Sequence, residues 1–215
     1  MIATYHGGVF LKLQTGDTTI AINPISKDSG KKVTRFGSDI CLVSTNLSLT
    51  NGVDQVENAG KVPFIISGPG EYEVKGINFK GIESKFKFFE GKEEKEKINT
   101  SYLFAFDNIK ICVLGILTEK LSAEARDAIA DCDLLILPVL EGKDGENKFL
   151  SAHEAVVVAN NLEPKMIIPV GYDDKTLPIF LKEAGAVGLQ AIEKLTIKRK
   201  DLDNKEGVIV TLQEI

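Results

Sequence analysis

Two histidines, three cysteines, two methionines and no tryptophan are all that 215 residues contain of the softer ligand-forming and largest aromatic side chains. Two histidines exclude a His-rich dinuclear metal site by counting alone. Cys41, Cys112 and Cys132 lie far apart and form no Cys-x-x-Cys pair. Cys41 in Ile-Cys-Leu-Val and Cys112 in Ile-Cys-Val-Leu sit within apolar runs and read as reduced core residues, because a free cysteine behaves as a small hydrophobe. Basic charge is also short: 26 Lys and Arg stand against 31 Asp and Glu, a net charge of −5, which argues against a nucleic-acid surface. The one basic triplet, Lys198-Arg199-Lys200, is too small to make such a patch. No apolar run approaches the ~20 residues that span a bilayer. The segment from Met1 to Gly8 lacks the charged and apolar regions of a signal peptide. The chain is therefore expected in the cytoplasm, without nucleic acid or membrane as a partner.

Short β-rich segments dominate what is present. β-branched and aromatic residues fill 9–14, 18–23, 39–44, 62–66, 71–75 and 77–82, then 102–106, 109–114, 133–138, 165–169, 195–198 and 207–212. Thr15-Gly16-Asp17 and Asp107-Asn108 supply hairpin turns. Helical spacing predicts a helix over 121–131 with Ser122 as N-cap. A second opens at the capping box Ser151-Ala-His-Glu154 and runs to about 161, and a third covers 176–184 and stops at Gly185. A short helix is expected over 51–59. The mixed-charge run 88–97 reads as a solvated loop.

The first and second parts of the chain repeat one pattern. Phe10-Leu-Lys-Leu, a turn, Thr19-Ile-Ala-Ile and then Ser38-Asp-Ile-Cys-Leu-Val is matched by Tyr102-Leu-Phe-Ala-Phe, a turn, Ile109-Lys-Ile-Cys-Val-Leu and then Cys132-Asp-Leu-Leu-Ile-Leu. Each copy is a hairpin followed, some twenty residues later, by an apolar strand that an aspartate introduces. Two such halves facing one another predict a mixed α/β fold, a four-layer αββα sandwich. It would form a single domain over 1–215, with halves near 1–97 and 98–215.

The order Thr4-Tyr-His-Gly-Gly-Val-Phe-Leu-Lys-Leu, Gly16-Asp-Thr-Thr-Ile-Ala-Ile-Asn-Pro24 and Ser38-Asp-Ile-Cys-Leu-Val-Ser-Thr resembles the metallo-β-lactamase superfamily, and within it the UlaG-like branch of zinc-dependent hydrolases. Gly68-Pro-Gly-Glu-Tyr-Glu-Val-Lys-Gly76, Asn99-Thr100, Asp133-Leu-Leu-Ile-Leu-Pro-Val139 and Glu163-Pro-Lys-Met-Ile-Ile-Pro-Val170 continue the likeness. It spans nearly the whole chain, leaving 88–97 and the acidic insertion 141–148 unaligned. The resemblance implies a His-x-His-x-Asp-His loop after the third strand of the pattern, where zinc lowers the pKa of a bound water toward ~7. Here that loop reads Ser44-Thr-Asn-Leu-Ser-Leu-Thr-Asn51. The first two histidine positions fall on Thr45 and Leu47, the aspartate on Leu49 and the last histidine on Thr50. The bridging-aspartate position is Ile116, the final histidine position is Gly171, and the aspartate that commonly precedes the proline at the second strand's end is Asn23. The mid-chain histidine expected after the 76–82 strand is absent from 83–89.

With every implied ligand replaced, the resemblance points to a member that has lost its zinc chemistry, binds no cofactor and acts as a structural, regulatory or binding protein. Its expected partner is a second copy of itself or an active relative. Two rival readings stay open. One is a hydrolase with a metal-independent site, or with ligands recruited from His6, Asp173 and Asp174. The other is a small-molecule sensor using a vestigial pocket lined by Leu47, Leu49, Ile116 and Leu117, with His6, Asn23, Ser44, Tyr172 and Asp173 at its rim. Gly68-Pro-Gly-Glu71 opens a strand and not a helix, so it reads as a tight turn and not a phosphate loop. Ser44 and Ser48 have no His-Asp pair near them in sequence to make a serine nucleophile.

Overall fold

Continuous apolar runs such as Ile40–Val43, Leu134–Pro138 and Met166–Val170 let the central strands bury both faces, so two sheets stack face to face and each takes a further layer outside. The computed structural model describes residues 1–140 and 149–215. In chain order the strands and helices are β1 (Ile2–Tyr5), β2 (Leu11–Thr15), β3 (Thr18–Ile22), β4 (Ile40–Val43), β5 (Phe64–Ser67), β6 (Gly70–Val74), β7 (Ile77–Glu90), β8 (Glu93–Phe106), β9 (Ile109–Val113), α1 (Ala123–Ile129), β10 (Leu134–Pro138), α2 (Ala152–Leu162), β11 (Met166–Val170), α3 (Thr176–Glu183), β12 (Leu195–Thr196) and β13 (Val208–Ile209). One sheet has the order β12-β1-β2-β3-β4-β5 and the other β13-β11-β10-β9-β8-β7-β6.

Between the sheets, Leu11, Leu13, Ile20, Ile22, Ile40 and Leu42 meet Phe79, Tyr102, Phe104, Ile111, Ile136 and Ile168. The alternate residues of the same strands point outward. Cys112, Leu135, Leu137 and Ile167 pack under α2 and α3 against Ala155, Val158, Leu162 and Phe180. Cys41, Ala21 and Val43 pack under Val33, Phe36 and Val53. The αββα order is thus present, with one outer layer thin. On the first sheet it consists of extended chain and 3-10 turns at Lys27–Ser29 and Val53–Gln55. The short helix expected over 51–59 is only that second turn.

The repeat seen in the sequence has a geometric counterpart at its two aspartates. Asp39 accepts the Thr19 N–H at 2.8 Å, and its own backbone N–H and C=O bond Thr19 and Phe64 at 2.9 Å each. Asp133 accepts the Lys110 N–H at 3.0 Å, and its backbone bonds Lys110 and Met166 at 2.8 and 3.0 Å. Each carboxylate also holds a lysine just upstream of the next strand, Lys61 at 2.9 Å and Lys165 at 2.8 Å. In both halves an antiparallel hairpin is followed by two parallel pairings, β2-β3-β4-β5 and β8-β9-β10-β11. The division between sheets falls between Ser67 and Gly70, however, because β6 and β7 pair into the second sheet.

Two further expectations are corrected and one strand appears that was not expected. Residues 88–97 are not a loop but the end of a long hairpin, β7 pairing β8 up to Glu90 opposite Glu93. Lys85-Phe86-Lys87-Phe88 alternates, so Phe86 and Phe88 stack at 5.9 Å on one face while Lys85 reaches Glu96 at 2.9 Å on the other. High charge content concealed a period of two. The polar opening Ile2-Ala-Thr-Tyr5 forms β1, tied on both sides by β2 and β12. The strands expected over 195–198 and 207–212 shrink to two residues each. The helix caps are as expected: Ser122 accepts the Ala125 N–H, and Ser151 and Glu154 form a reciprocal box. The acidic insertion 141–148 lies outside the described residues.

Candidate functional site

The ends of β3, β4 and β9 and the middle of β8 converge where the sequence resemblance puts metal ligands, and a hydrogen-bonded amide occupies their junction. Asn99, in β8, is fully buried. Its Oδ1 accepts from Thr45 Oγ1 and from the Ile116 N–H, both at 2.9 Å. Its Nδ2 donates to Ser84 Oγ at 2.8 Å and to the Leu114 carbonyl at 2.9 Å. A carboxamide has two donors and two good acceptor sites, so all four are used. The backbone N–H of Ile116 can only donate and the carbonyl of Leu114 can only accept, which fixes the orientation of the amide.

Loop 44–51 folds onto this amide and onto itself. Asn23, at φ 51°, accepts the Ser44 N–H through Oδ1 at 2.8 Å. The Ser44 carbonyl accepts the Thr100 N–H at 2.8 Å. Thr50 turns its hydroxyl onto the Thr45 and Leu47 carbonyls. Thr45 and Thr50 are buried, whereas Leu47 and Leu49 are half-buried. Gly115 carries a φ of +74°, and a Cβ there would lie 2.3 Å from Asn99 Oδ1 and 2.6 Å from Ser44 Cβ. The residue is therefore held to glycine by two independent constraints.

Three of the four apolar residues proposed to line a pocket divide between two cores. Ile116 and Leu47 join the core between the sheets, while Leu117 joins the core beneath the helices. Gly171, at φ +80°, sits against Leu140 and Val9, where a Cβ would approach Leu140 Cδ2 to 2.8 Å. A cleft of about 850 Å³ does exist, but it lies between α2, α3 and residues 204–209, and none of the ligand positions lines it.

The rim residues go separate ways. His6 is buried, with Phe10 and Phe36 at ring separations of 5.0 and 5.1 Å and, among the described residues, only Thr4 Oγ1 within hydrogen-bond reach of its ring, at 3.3 Å. Burial, aided by Lys12, pushes its pKa down to about 4, so the imidazole is neutral. Asp173 accepts the N–H groups of Thr176 and Lys175 at 2.8 and 2.9 Å and caps α3, and these bonds hold its carboxyl below the usual range. Asp174 is exposed. Tyr172 packs against Tyr5 with the rings tilted and their centres 5.4 Å apart, and donates to the Leu212 carbonyl; burial pushes its phenol up to about 12. His6 and Asp173 thus each have their own partners and do not form one site.

These side chains do not fit a zinc centre. Leucine and isoleucine have no lone pair to offer, glycine has no side chain, and the hydroxyls of Thr45 and Thr50 are neutral and already donated elsewhere. Ser44 Oγ is buried with no hydrogen-bond partner among the described residues, but a neutral hydroxyl is a poor zinc ligand. Among the described residues no three His, Cys, Asp or Glu side chains gather closely enough to hold a metal. Sequence reasoning placed Asn99 in the family's order without assigning it a role, and it also missed Gly115. The available signal was a polar trio, Asn99-Thr100-Ser101, leading into an apolar strand; all three are fully buried.

Two facing sheets with helices outside, and a loop cluster at the strand ends, define the architecture of a metallo-β-lactamase-type sandwich. Residues 3–171 match the family described as Beta-lactamase superfamily domain, and the chain belongs to the metallo-β-lactamase superfamily. A Lysinibacillus sphaericus protein named UPF0173 metal-dependent hydrolase is 24% identical over 196 residues, covering 80% of this chain and 86% of that one. Among solved structures, a Thermotoga maritima protein of the metallo-β-lactamase superfamily superposes with a TM-score of 0.72 at 22% identity, covering 99% of both chains. The isothiocyanate hydrolase from Delia radicum gut bacteria gives 0.65 at 11% identity, covering 92% of this chain and all of the other. No described helix is long and apolar enough to cross a membrane.

Proposed function

We propose that this chain is a non-catalytic member of its superfamily, in which the positions that would hold zinc now close the fold, and that it acts as a structural, regulatory or binding protein. The observation that carries the reading is the Asn99 amide, whose four hydrogen bonds join β8 to β7, to the 44–51 loop and to the turn after β9. A functional metal loop needs donors turned toward a shared point and a position left open to water. Thr50 of this loop turns its hydroxyl onto the loop's own backbone, and Thr45 turns its hydroxyl onto an amide. The hydrolase names borne by relatives describe those proteins; their reaction would require ligands that these positions do not offer.

The test is hydrolysis. Purified protein supplemented in turn with zinc, manganese and iron is assayed against lactam, phosphodiester, thioester and lactone substrates. Rates equal to buffer containing the same metal are expected. Turnover that follows protein concentration and disappears on chelation would overturn the reading.

A further inference from the structure

We propose that β5 is a docking edge for a second copy of this chain, with two β5 strands pairing antiparallel across a two-fold axis at Ile65. A sheet edge exposes a row of unpaired backbone groups, and proteins usually blunt such rows by shortness or charge. Three of the four edges here are blunted. β12 and β13 are two residues long, and β6 presents Glu71 and Glu73 to solvent. β5, Phe64-Ile-Ile-Ser67, carries no charge. Phe64 is 53% exposed, Ile65 47% and, just before the strand, Val62 73%.

The backbone pattern names the occupant. In the parallel ladder with β4, the Phe64 N–H donates inward to Asp39 at 2.9 Å, and Phe64 and Ile66 alternate toward β4. Ile65 and Ser67 therefore turn their N–H and C=O outward, as Pro63 turns its C=O. Pro63 has no N–H, so it can only accept. An antiparallel second copy centred on Ile65 satisfies this set: the two Ile65 residues exchange both bonds, and each Ser67 N–H donates to the partner's Pro63 carbonyl. The same register sets Phe64 opposite Ile66 of the partner, apolar against apolar. The axis must pass through a residue, because a two-fold normal to the sheet keeps each side chain on its own face. On the long hairpin a register at its charged stretch fails. Centring on Glu96 in β8 sets that residue against itself and Lys95 against Lys97. The uncharged edge accepts its own copy where the charged one repels it.

Four residues per chain make a small interface, so the assembly is concentration-dependent and not obligate. The claim stands on the edge chemistry alone and is independent of whether the chain hydrolyses anything; mass tests one and turnover the other.

The experiment is sedimentation equilibrium on the whole protein, alone and as variants. The wild type should climb from the 23.4 kDa chain mass toward twice that value as concentration rises. Ile65→Lys and Ile65→Glu, at a half-exposed position, should each stay at one chain with unchanged circular dichroism. Mixed together, they should recover the double mass, since lysine then faces glutamate. Ile65→Cys should give a disulfide-linked dimer under mild oxidation, whereas Val187→Cys, exposed but away from the edge, should not; the native cysteines are buried. A wild type that stays at one chain up to about 1 mM, the regime of Kd for the weakest specific contacts, overturns the proposal. So does a dimer that survives Ile65→Lys, or a mixture of the two charged variants that remains monomeric.

Discussion

Replacing Asn99 with alanine removes all four hydrogen bonds of its amide but does not strand all four partners. The Leu114 carbonyl keeps the Ser101 hydroxyl at 3.1 Å, and Ser84 Oγ keeps the Asn99 carbonyl at 3.4 Å. The Ile116 N–H and the Thr45 hydroxyl lose their acceptor, and both residues are buried. A stranded buried polar group costs about 1–3 kcal/mol, so two give a loss centred on about 4 kcal/mol. Domains have only about 5–15 kcal/mol in total, so such a loss is a large share of the fold's stability. With a urea dependence of about 2 kcal/mol per molar, the unfolding midpoint should fall by about 2 M. Asn99→Asp should be worse at neutral pH than at pH 5, because an ionised carboxylate would point one oxygen at the Leu114 carbonyl. The assay is urea unfolding followed by circular dichroism. A loss below about 1 kcal/mol for Asn99→Ala would refute the view that this amide, bonded to Thr45 and Ile116, closes the fold.

Gly115→Ala should leave little soluble protein, since the new Cβ meets Asn99 Oδ1 at 2.3 Å on a backbone at φ +74°; wild-type yield and midpoint would refute this. Stability should fall on acidification in two windows. His6, whose folded pKa of about 4 lies below the unfolded value of 6.5, binds its proton first in the unfolded chain, so stability drops between pH 6.5 and 4. The full drop is about 3 kcal/mol, and His6→Phe should flatten it in urea midpoints taken across that range. At Asp39 burial pushes the carboxyl up, but Lys75, Lys61 and the Thr19 N–H outweigh it and hold it at about 2. Its contribution of roughly 2 kcal/mol is present above pH 4 and lost as pH falls through 2. Asp39→Asn should shrink that second window, to which the lowered carboxyls of Asp133 and Asp173 also contribute, and leave the first untouched.

Much of the fold was legible because its signal is local. The apolar and β-branched runs in Thr18-Thr-Ile-Ala-Ile22 and Leu134-Leu-Ile-Leu-Pro138 predict buried strands, and Ser151-Ala-His-Glu154 predicts a helix start whichever helix follows. The repeat of an aspartate before the third strand was readable as a pattern. Its reason, a carboxylate bonding the neighbouring strand's N–H and the next strand's lysine, is a long-range contact that spacing cannot reveal. The hairpin end at 88–97 was missed because charge outweighed alternation, and β1 because its two partners come from positions 11–15 and 195–196. At the candidate site the chemical character of Thr45, Leu47, Leu49, Thr50, Ile116 and Gly171 was plain in the sequence. What they do instead was not. Leu47 and Ile116 became core, Thr45 found an amide 54 residues away, and Leu117 turned to the opposite side of the sheet. The imagined apolar pocket failed because neighbours in sequence alternate between two cores.

Metal content tests the central claim most directly. Protein expressed in medium supplemented with zinc, manganese and iron, purified without chelator, is analysed by inductively coupled plasma mass spectrometry against protein concentration. The account predicts each metal far below one ion per chain, and an unfolding midpoint that chelation does not move. One ion per chain, removed by chelator with a fall in that midpoint, would contradict it.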